Sequence, residues 1–455
     1  MSNAVAPTPP RIGPAPAAAA PRAAAQAGFT MIELLISLLL LVELIVAVLV
    51  LFDFNNRLTR VQTHVADMQQ SLRISQDEIV RYVRMAGRGG LPDAHNTEPI
   101  PGVLTGWHYL PTGISVEVTD NAADDATIGD DPDTPDVVEF SDVLTVRGVF
   151  NTPLYQVGYT DTGNFVLNNA DPAAATGGTI LVTNFSPTGN IPQDLQPLAD
   201  AINDEVPEAL LLMSPLSDDI YAVVQLDPAN SVINGAPPTS ISVAFIKPDE
   251  SGGVPNPQST HDGDYLNLSP GKSYPVALTN VSTFGILEEH RYYVREEWND
   301  PEETELASRL SRARVFPGTQ VPYRDDTDNW EIDIADNIVD LQNALGVDLD
   351  GDGAVAEAAV DGSDDDFKND EWLGNHWEDD RDEDRWKAAG ARLFYVRVNV
   401  LARTDRRDPG YVSPPILKIE DSEYAEEPAP DTEANRLDRL FRRRVLQTTV
   451  DLRNL

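Results

Sequence analysis

Asp348, Asp350 and Asp352 stand at alternate positions in the run Asp348-Leu-Asp-Gly-Asp-Gly-Ala-Val-Ala-Glu357. Alternate residues of a tight turn can aim their oxygens at one point, and converging carboxylates suit a hard divalent cation. With a glycine in sixth place and an apolar residue in eighth, the run matches the start of an EF-hand-type loop for calcium (Ca2+). Such a loop closes on a bidentate Glu in twelfth place, where this chain has Ala359. Glu357 or Asp361 would have to complete the shell. The competing reading is an acidic surface turn, and both stay open at this point.

Other chemistries find little support. The chain has no cysteine, so a thiol nucleophile is impossible and the fold relies on packing or metal rather than disulfides. The six histidines, His64, His95, His108, His261, His290 and His376, form neither an HExxH motif nor a zinc spacing. No G-x-S-x-G elbow occurs. Paired carboxylates carry no information in a chain with 74 acidic and 33 basic residues. No enzymatic role is expected. A net charge of −41 argues against general nucleic-acid binding, because the phosphate backbone would be repelled. The basic cluster Arg436, Arg439, Arg442, Arg443 and Arg444, beside Phe441, reads as neutralising acidic neighbours or a subunit contact. A DNA-contacting patch is the less favoured reading. Trp372, Trp377 and Trp386 flank an acidic insertion and read as anchors of a long loop rather than a receptor platform.

The element that must position all of this lies near the N-terminus. From Phe29 to Phe52 only Thr30, Glu33, Ser37 and Glu43 are not apolar. At about 1.5 Å per residue the run spans roughly 36 Å, enough for a bilayer core of about 30 Å. Residues 1–28 are Ala/Pro-rich, carry Arg11 and Arg22 but no acid, and read as a leader outside the fold. Positive charge ahead of the span orients the C-terminus away from the cytoplasm. From Asp53 to Ala86 a polar helix continues with the stripe Leu58, Val61, Val65, Met68, Leu72, Ile79, Tyr82 and Ala86, broken only by Ser75. Gly87-Arg-Gly-Gly90 and Pro92 read as its stop, not as a phosphate loop, since no GK[ST] follows.

Beyond it, runs such as 137–140, 143–150, 180–184, 221–226, 241–246, 291–295, 393–402 and 445–452 read as short antiparallel strands. Residues 120–136, 159–178, 248–270 and 359–385 read as acidic or Gly/Asn/Asp-rich insertions. The expected class is α+β, one long helix covering a face of an antiparallel sheet. The boundaries are 1–28 leader, 29–52 membrane helix, 53–86 amphipathic helix and 87–455 β-rich head, with an acidic insertion near 346–386.

Gly28-Phe-Thr-Met-Ile-Glu33 followed by the apolar run resembles the prepilin signature of type IV pilins and type II secretion pseudopilins. The resemblance implies that a prepilin peptidase cuts between Gly28 and Phe29 and methylates the new amine. It implies too that Glu33 meets the N-terminal ammonium of a neighbouring subunit during assembly, a pairing that burial in a dry bundle favours. Two features depart from the pattern. Glu43 is a second membrane carboxylate that could snorkel, pair with an Arg of a neighbour, or stay protonated. Val50 stands where major pilins often have a helix-melting proline, so an unbroken helix is expected.

Arg81-Tyr-Val-Arg-Met-Ala-Gly87, Ser141-Asp-Val-Leu-Thr-Val-Arg147, His290-Arg-Tyr-Tyr-Val294, the segments 334–342 and 346–353, Phe394–Arg403 and Phe441–Asn454 resemble the PilW family of minor pilins. J-type pseudopilins share this layout. The resemblance implies a pilin-like fold and a priming or tip-complex subunit of a type IV pilus. Its partners would be other minor and major pilins, the peptidase, the inner-membrane assembly platform and membrane lipid, with no nucleic acid. Its place would be the inner membrane, single-pass, then the pilus or pseudopilus at the cell surface. The alternatives are a minor pseudopilin of type II secretion and a calcium-dependent tip adhesin.

Overall fold

Helix α1 runs without a break from Met31 to Val83, through Val50, as the absence of proline predicts. The computed structural model describes residues 30–89, 108–109, 115–120, 138, 141–156, 166–167, 178–183, 189–204, 208–213, 221–246, 276–277, 283–298, 306–317, 331–357, 370–374, 392–424 and 437–452. Gly28, Phe29, Asp361 and most of the four expected insertions lie outside these residues. The chain divides into two units, one ending at Arg60 and one beginning at Val61.

In the first unit the apolar residues of α1 from Met31 to Phe54 are all exposed. Among the described residues this is the one helix long and apolar enough to cross a membrane, and it lies near the N-terminus. A helix suits that solvent because each backbone N–H and C=O is bonded within the segment.

In the second unit α1 buries one face. Met68, Leu72, Ile79 and Tyr82 are buried, as the stripe predicts. Ser75 interrupts the apolar pattern but not the burial: its hydroxyl donates to the Ser71 carbonyl at 2.8 Å, so the stripe stays satisfied. The helix ends at Val83 and turns through residue 89, with Gly87 at φ 70° and Gly89 at φ 103°. That left-handed backbone suits glycine and confirms the capping reading. The Gly87 amide donates to the Arg147 carbonyl at 3.0 Å, tying the helix end to the sheet.

Strands are numbered in chain order. The larger sheet follows the order β1 (His108–Tyr109), β2 (Val116–Asp120), β3 (Val143–Gly148), β12 (Thr283–Trp298), β7 (Ala209–Met213), β8 (Tyr221–Leu226), β10 (Ser240–Ile246) and β6 (Gly178–Thr183). β4 (Tyr155–Gln156), β9 (Val232–Asn234), β13 (Leu306–Val315) and β14 (Glu331–Asp336) branch from that path. The described pairings are antiparallel, and β12 is the spine: Thr283–Leu287 pair with β7, Glu288–Tyr292 with β3, and Glu289–Trp298 with β13. A smaller sheet has the order β16 (Trp372–Leu373), β15 (Ile338–Asp348), β17 (Arg392–Arg403) and β20 (Arg443–Asp451). Two-stranded pairs are formed by β5 (Val166–Leu167) with β11 (Val276–Ala277), and by β18 (Lys418–Ile419) with β19 (Ser422–Glu423). Asn337, at φ 61°, makes the corner where the chain passes from β14 in one sheet to β15 in the other.

The α+β expectation holds. Among the described residues two apolar cores form: α1 packs with Val116, Leu144, Tyr292, Leu345, Val396 and Val450, among others. The second core lies under α2 (Ile191–Asn203), whose Leu195, Leu198, Ala199 and Ile202 meet Leu210, Val243 and Phe284. Of the expected strand at 137–140, only Val138 is described, and it belongs to no strand.

Candidate functional site

At the start of α1, Thr30 and Glu33 hold each other. The Thr30 amide and hydroxyl donate to Glu33 Oε2 at 2.9 and 3.0 Å, and the Glu33 amide donates back to Thr30 Oγ1 at 3.3 Å. This is a capping box: two amides without helical partners are satisfied by side chains. Glu33 thus has local hydrogen bonds available in the isolated chain, which would lower the cost of an apolar surround. Gly28 and Phe29, the expected cleavage residues, lie outside the described residues.

The acidic loop follows directly from β15. Asp348, Asp350 and Asp352 each bring a carboxylate oxygen to within 4.8 Å of the others. The turn that does this is built on amides. Asp348 Oδ1 accepts from Gly351 N at 2.6 Å and Oδ2 from Gly353 N at 2.9 Å. Asp350 accepts from Asp352 N at 3.0 Å, and Asp352 from Ala354 N at 2.8 Å. Gly351 and Gly353 adopt φ 79° and 85°, which a side chain would strain. One oxygen from each of three carboxylates could share one hard cation there.

Of the remaining expected ligands, the one described, Glu357, does not join the three aspartates. Glu357 turns away to Arg397, 2.8 Å from its Nη1, and Asp361 lies outside the described residues. A residue that spacing did not single out closes the loop instead. Glu371 is buried, and its carboxylate accepts from Leu349 N at 2.9 Å and Ala356 N at 2.7 Å. Glu371 N also donates to the Ala356 carbonyl at 2.9 Å, so the two ends of the loop are clamped together. Its signal in the sequence was only a carboxylate ahead of Trp372.

The same clamp seats Trp372, which is buried, with the Arg397 guanidinium 4.1 Å above its ring. Arg397 also lies 2.9 Å from Glu420, whose carboxyl burial pushes up while Arg397 and Asn399 draw it down. Trp372 therefore acts as an anchor; Trp377 and Trp386 lie outside the described residues.

The basic cluster is largely engaged within the chain. Arg439 Nε donates to the Ser413 carbonyl at 2.9 Å, Arg442 pairs with Asp408 at 2.8 Å, and Arg443 donates to Ser413 Oγ at 2.9 Å. Phe441 lies beneath Arg403 and Arg407, at 4.7 and 5.2 Å from its centroid. Arg436 lies outside the described residues. His64 contacts Asp405 at 2.7 Å, whereas His290 is enclosed by Tyr82 and Phe150, with centroids at 4.9 and 5.2 Å. Burial, aided by Arg312 and Arg314, holds His290 well below its ordinary pKa, so it is a neutral core side chain.

A second polar feature was also missed by motif reasoning. Arg147, Arg291, Glu117 and Glu289 are buried together on β2, β3 and β12. Arg147 reaches Glu117 at 2.7 Å and Glu289 at 2.6 Å, and Arg291 reaches Glu289 at 2.7 Å. Burial opposes the Arg147 charge, but Glu289 and Glu117 outweigh it and raise its pKa. Two cations and two anions balance, which is what a dry interior demands.

The family described as Type IV Pilus-assembly protein W matches residues 291–454. That stretch runs from the middle of β12 through β20 and includes the acidic loop, Trp372 and the basic segment. The similarity points to type IV pilus assembly. No curated protein and no solved structure matches the chain.

Proposed function

We propose that this chain is a minor pilin that primes or caps a type IV pilus. The observation that carries the reading is the combination of an exposed apolar helix, with a carboxylate in its first turn, and a head similar to a pilus-assembly family. In this reading the leader is removed between Gly28 and Phe29 and the new amine is methylated. The helix of residues 29–52 holds the protein in the inner membrane with the head outside. Assembly moves that helix from lipid into a bundle of other minor and major pilins. The capping box supports a two-step role for Glu33: Thr30 satisfies it while the subunit waits in the membrane, and a neighbouring ammonium replaces that contact in the bundle. The test has two parts. N-terminal sequencing of the purified protein should begin at Phe29, and Glu33→Ala should remain in the membrane without entering filaments. A retained Ala/Pro-rich leader would end this reading.

A second reading, a calcium-dependent head, is favoured by the convergence of Asp348, Asp350 and Asp352. It is compatible with the first, and its ligand set would be those three carboxylates with backbone or water oxygens. Adhesion through the 359–385 insertion would be lost on its deletion with filament number unchanged.

A further inference from the structure

Glu43 has no role in the reading above. It lies 14 residues after Phe29 and nine before Phe52, about 21 and about 14 Å from the ends of the apolar run. A glutamate side chain is too short to reach water across that depth. Its neighbours one turn away are Leu39, Leu40, Val46 and Ala47, so the helix supplies no hydrogen-bonding side chain. A carboxylate at that depth is expensive in lipid and marks a pairing site.

The helix face shows where a partner would lie. At 3.6 residues per turn, Thr30, Glu33, Ser37, Glu43 and Ala47 fall within an arc of about 140°. They are all the polar residues and the one alanine of the run; outside that arc stand only Leu, Ile, Val, Met and Phe. Small and polar residues gather where membrane helices pack, and purely aliphatic faces meet lipid. We infer that this arc is a helix-docking face, and that Glu43 receives a Lys or Arg side chain from the membrane helix of a different polypeptide. A second copy packed in register cannot supply that side chain, because its nearest basic residues, Arg22 and Arg57, lie 21 residues before and 14 after Glu43. The inference rests on the proposed assembly role, in which the helix leaves lipid for a bundle.

The test uses the full-length chain in cells that assemble pili. Benzoylphenylalanine is placed at Ala47, beside Glu43 on the arc, or at Leu38, on the aliphatic face, and the cross-linked helix is identified by mass spectrometry. The expected result is cross-linking from Ala47, and far less from Leu38, to a helix that carries Lys or Arg at the matching depth. Glu43→Gln should lower that yield about tenfold, the scale of one interhelical polar contact. Exchanging the charges, Glu43→Arg with the partner cation changed to Glu, should restore it. Three results would overturn the inference: equal yield from both positions, yield unaffected by Glu43→Gln, or a cross-linked helix that is a second copy or lacks a basic residue. Membrane levels of each variant and the melting temperature of its head guard against loss through misfolding. Filament entry of the parent and of Glu33→Ala, scored in the same cells, tests the assembly role separately.

Discussion

Arg147 Nε lies 2.6 Å from Glu289 Oε2 across directly paired strands, with both side chains fully buried. Glu117 on β2 and Arg291 on β12 complete the cluster, so each charge has an opposite partner. Arg147→Ala would leave Glu117 and Glu289 buried without their shared cation. The expected loss is about 3–5 kcal/mol, the scale for breaking a buried pair. Chemical denaturation of the full-length protein in detergent measures it. A loss under about 1 kcal/mol, as for an exposed pair, would show that water reaches the cluster.

Gly285 on β12 tests packing without charge. A Cβ there would stand 2.7 Å from both Val149 methyl carbons, closer than real contacts allow. Gly285→Ala should destabilise by about 1–3 kcal/mol through overpacking. Val149→Ala removes the obstructing methyls, so the double variant should recover most of the Gly285→Ala loss. Additive losses would rule out this close approach.

The sequence exposed its strongest periodic signals and hid what depends on tertiary neighbours. The α1 stripe from Met68 to Tyr82 was readable because its spacing repeats over several turns, and Ser75 kept the spacing while changing the chemistry. Strands 221–226 and 241–246 were readable from β-branched runs, and the structure places them in β8 and β10. Helix α2 was overlooked although Ile191, Leu195, Leu198, Ala199 and Ile202 follow a helical period. Pro192 and Pro197 suggest a breaker, yet the first is tolerated in an opening turn. At the acidic loop, alternate spacing marked the three aspartates that converge. It could not reveal that Glu357 prefers Arg397, which comes from β17, or that Glu371 closes the turn from β16's edge. Those partners are distant in sequence, and no local pattern encodes them.

Asp340 and His290 should give stability opposite pH dependences. Burial raises the Asp340 carboxyl from 3.8 to about 7, only partly offset by hydrogen bonds from Gln342, Ser141 and the Leu341 amide. A folded pKa above the unfolded one means stability that is full below about pH 4 and lost as pH rises through 7. Asp340→Asn should therefore gain on the parent as pH rises from 5 to 8, by about 3 kcal/mol, nearly all of it between pH 5 and 7. His290 is depressed, so its contribution is present above pH 6.5 and lost as pH falls. His290→Phe should gain on the parent only on the acid side. Melting temperatures at pH 5 and pH 8 separate the two. Parallel curves for parent and Asp340→Asn would show that this carboxyl titrates normally.

Calcium addresses the acidic loop most directly. Asp350 and Asp352 are exposed, while Asp348 is buried at the end of β15 and already accepts two amides. A cation bound by all three would relieve the repulsion between them and stabilise the folded state by mass action. At a concentration 100 times its dissociation constant that is about 2.7 kcal/mol. Millimolar calcium should therefore raise the melting temperature, and a chelator should reverse the rise. Asp350→Ala should abolish it while changing the calcium-free melting temperature little, since Asp350 is exposed and its one described bond, from Asp352 N, is local. Glu371→Gln provides the contrast. It weakens the clamp from Leu349 to Ala356 and should lower the calcium-free melting temperature, because a buried acceptor of two amides loses its charge. If calcium shifted neither the parent nor Glu371→Gln, the three aspartates would be an acidic turn held by its own amides.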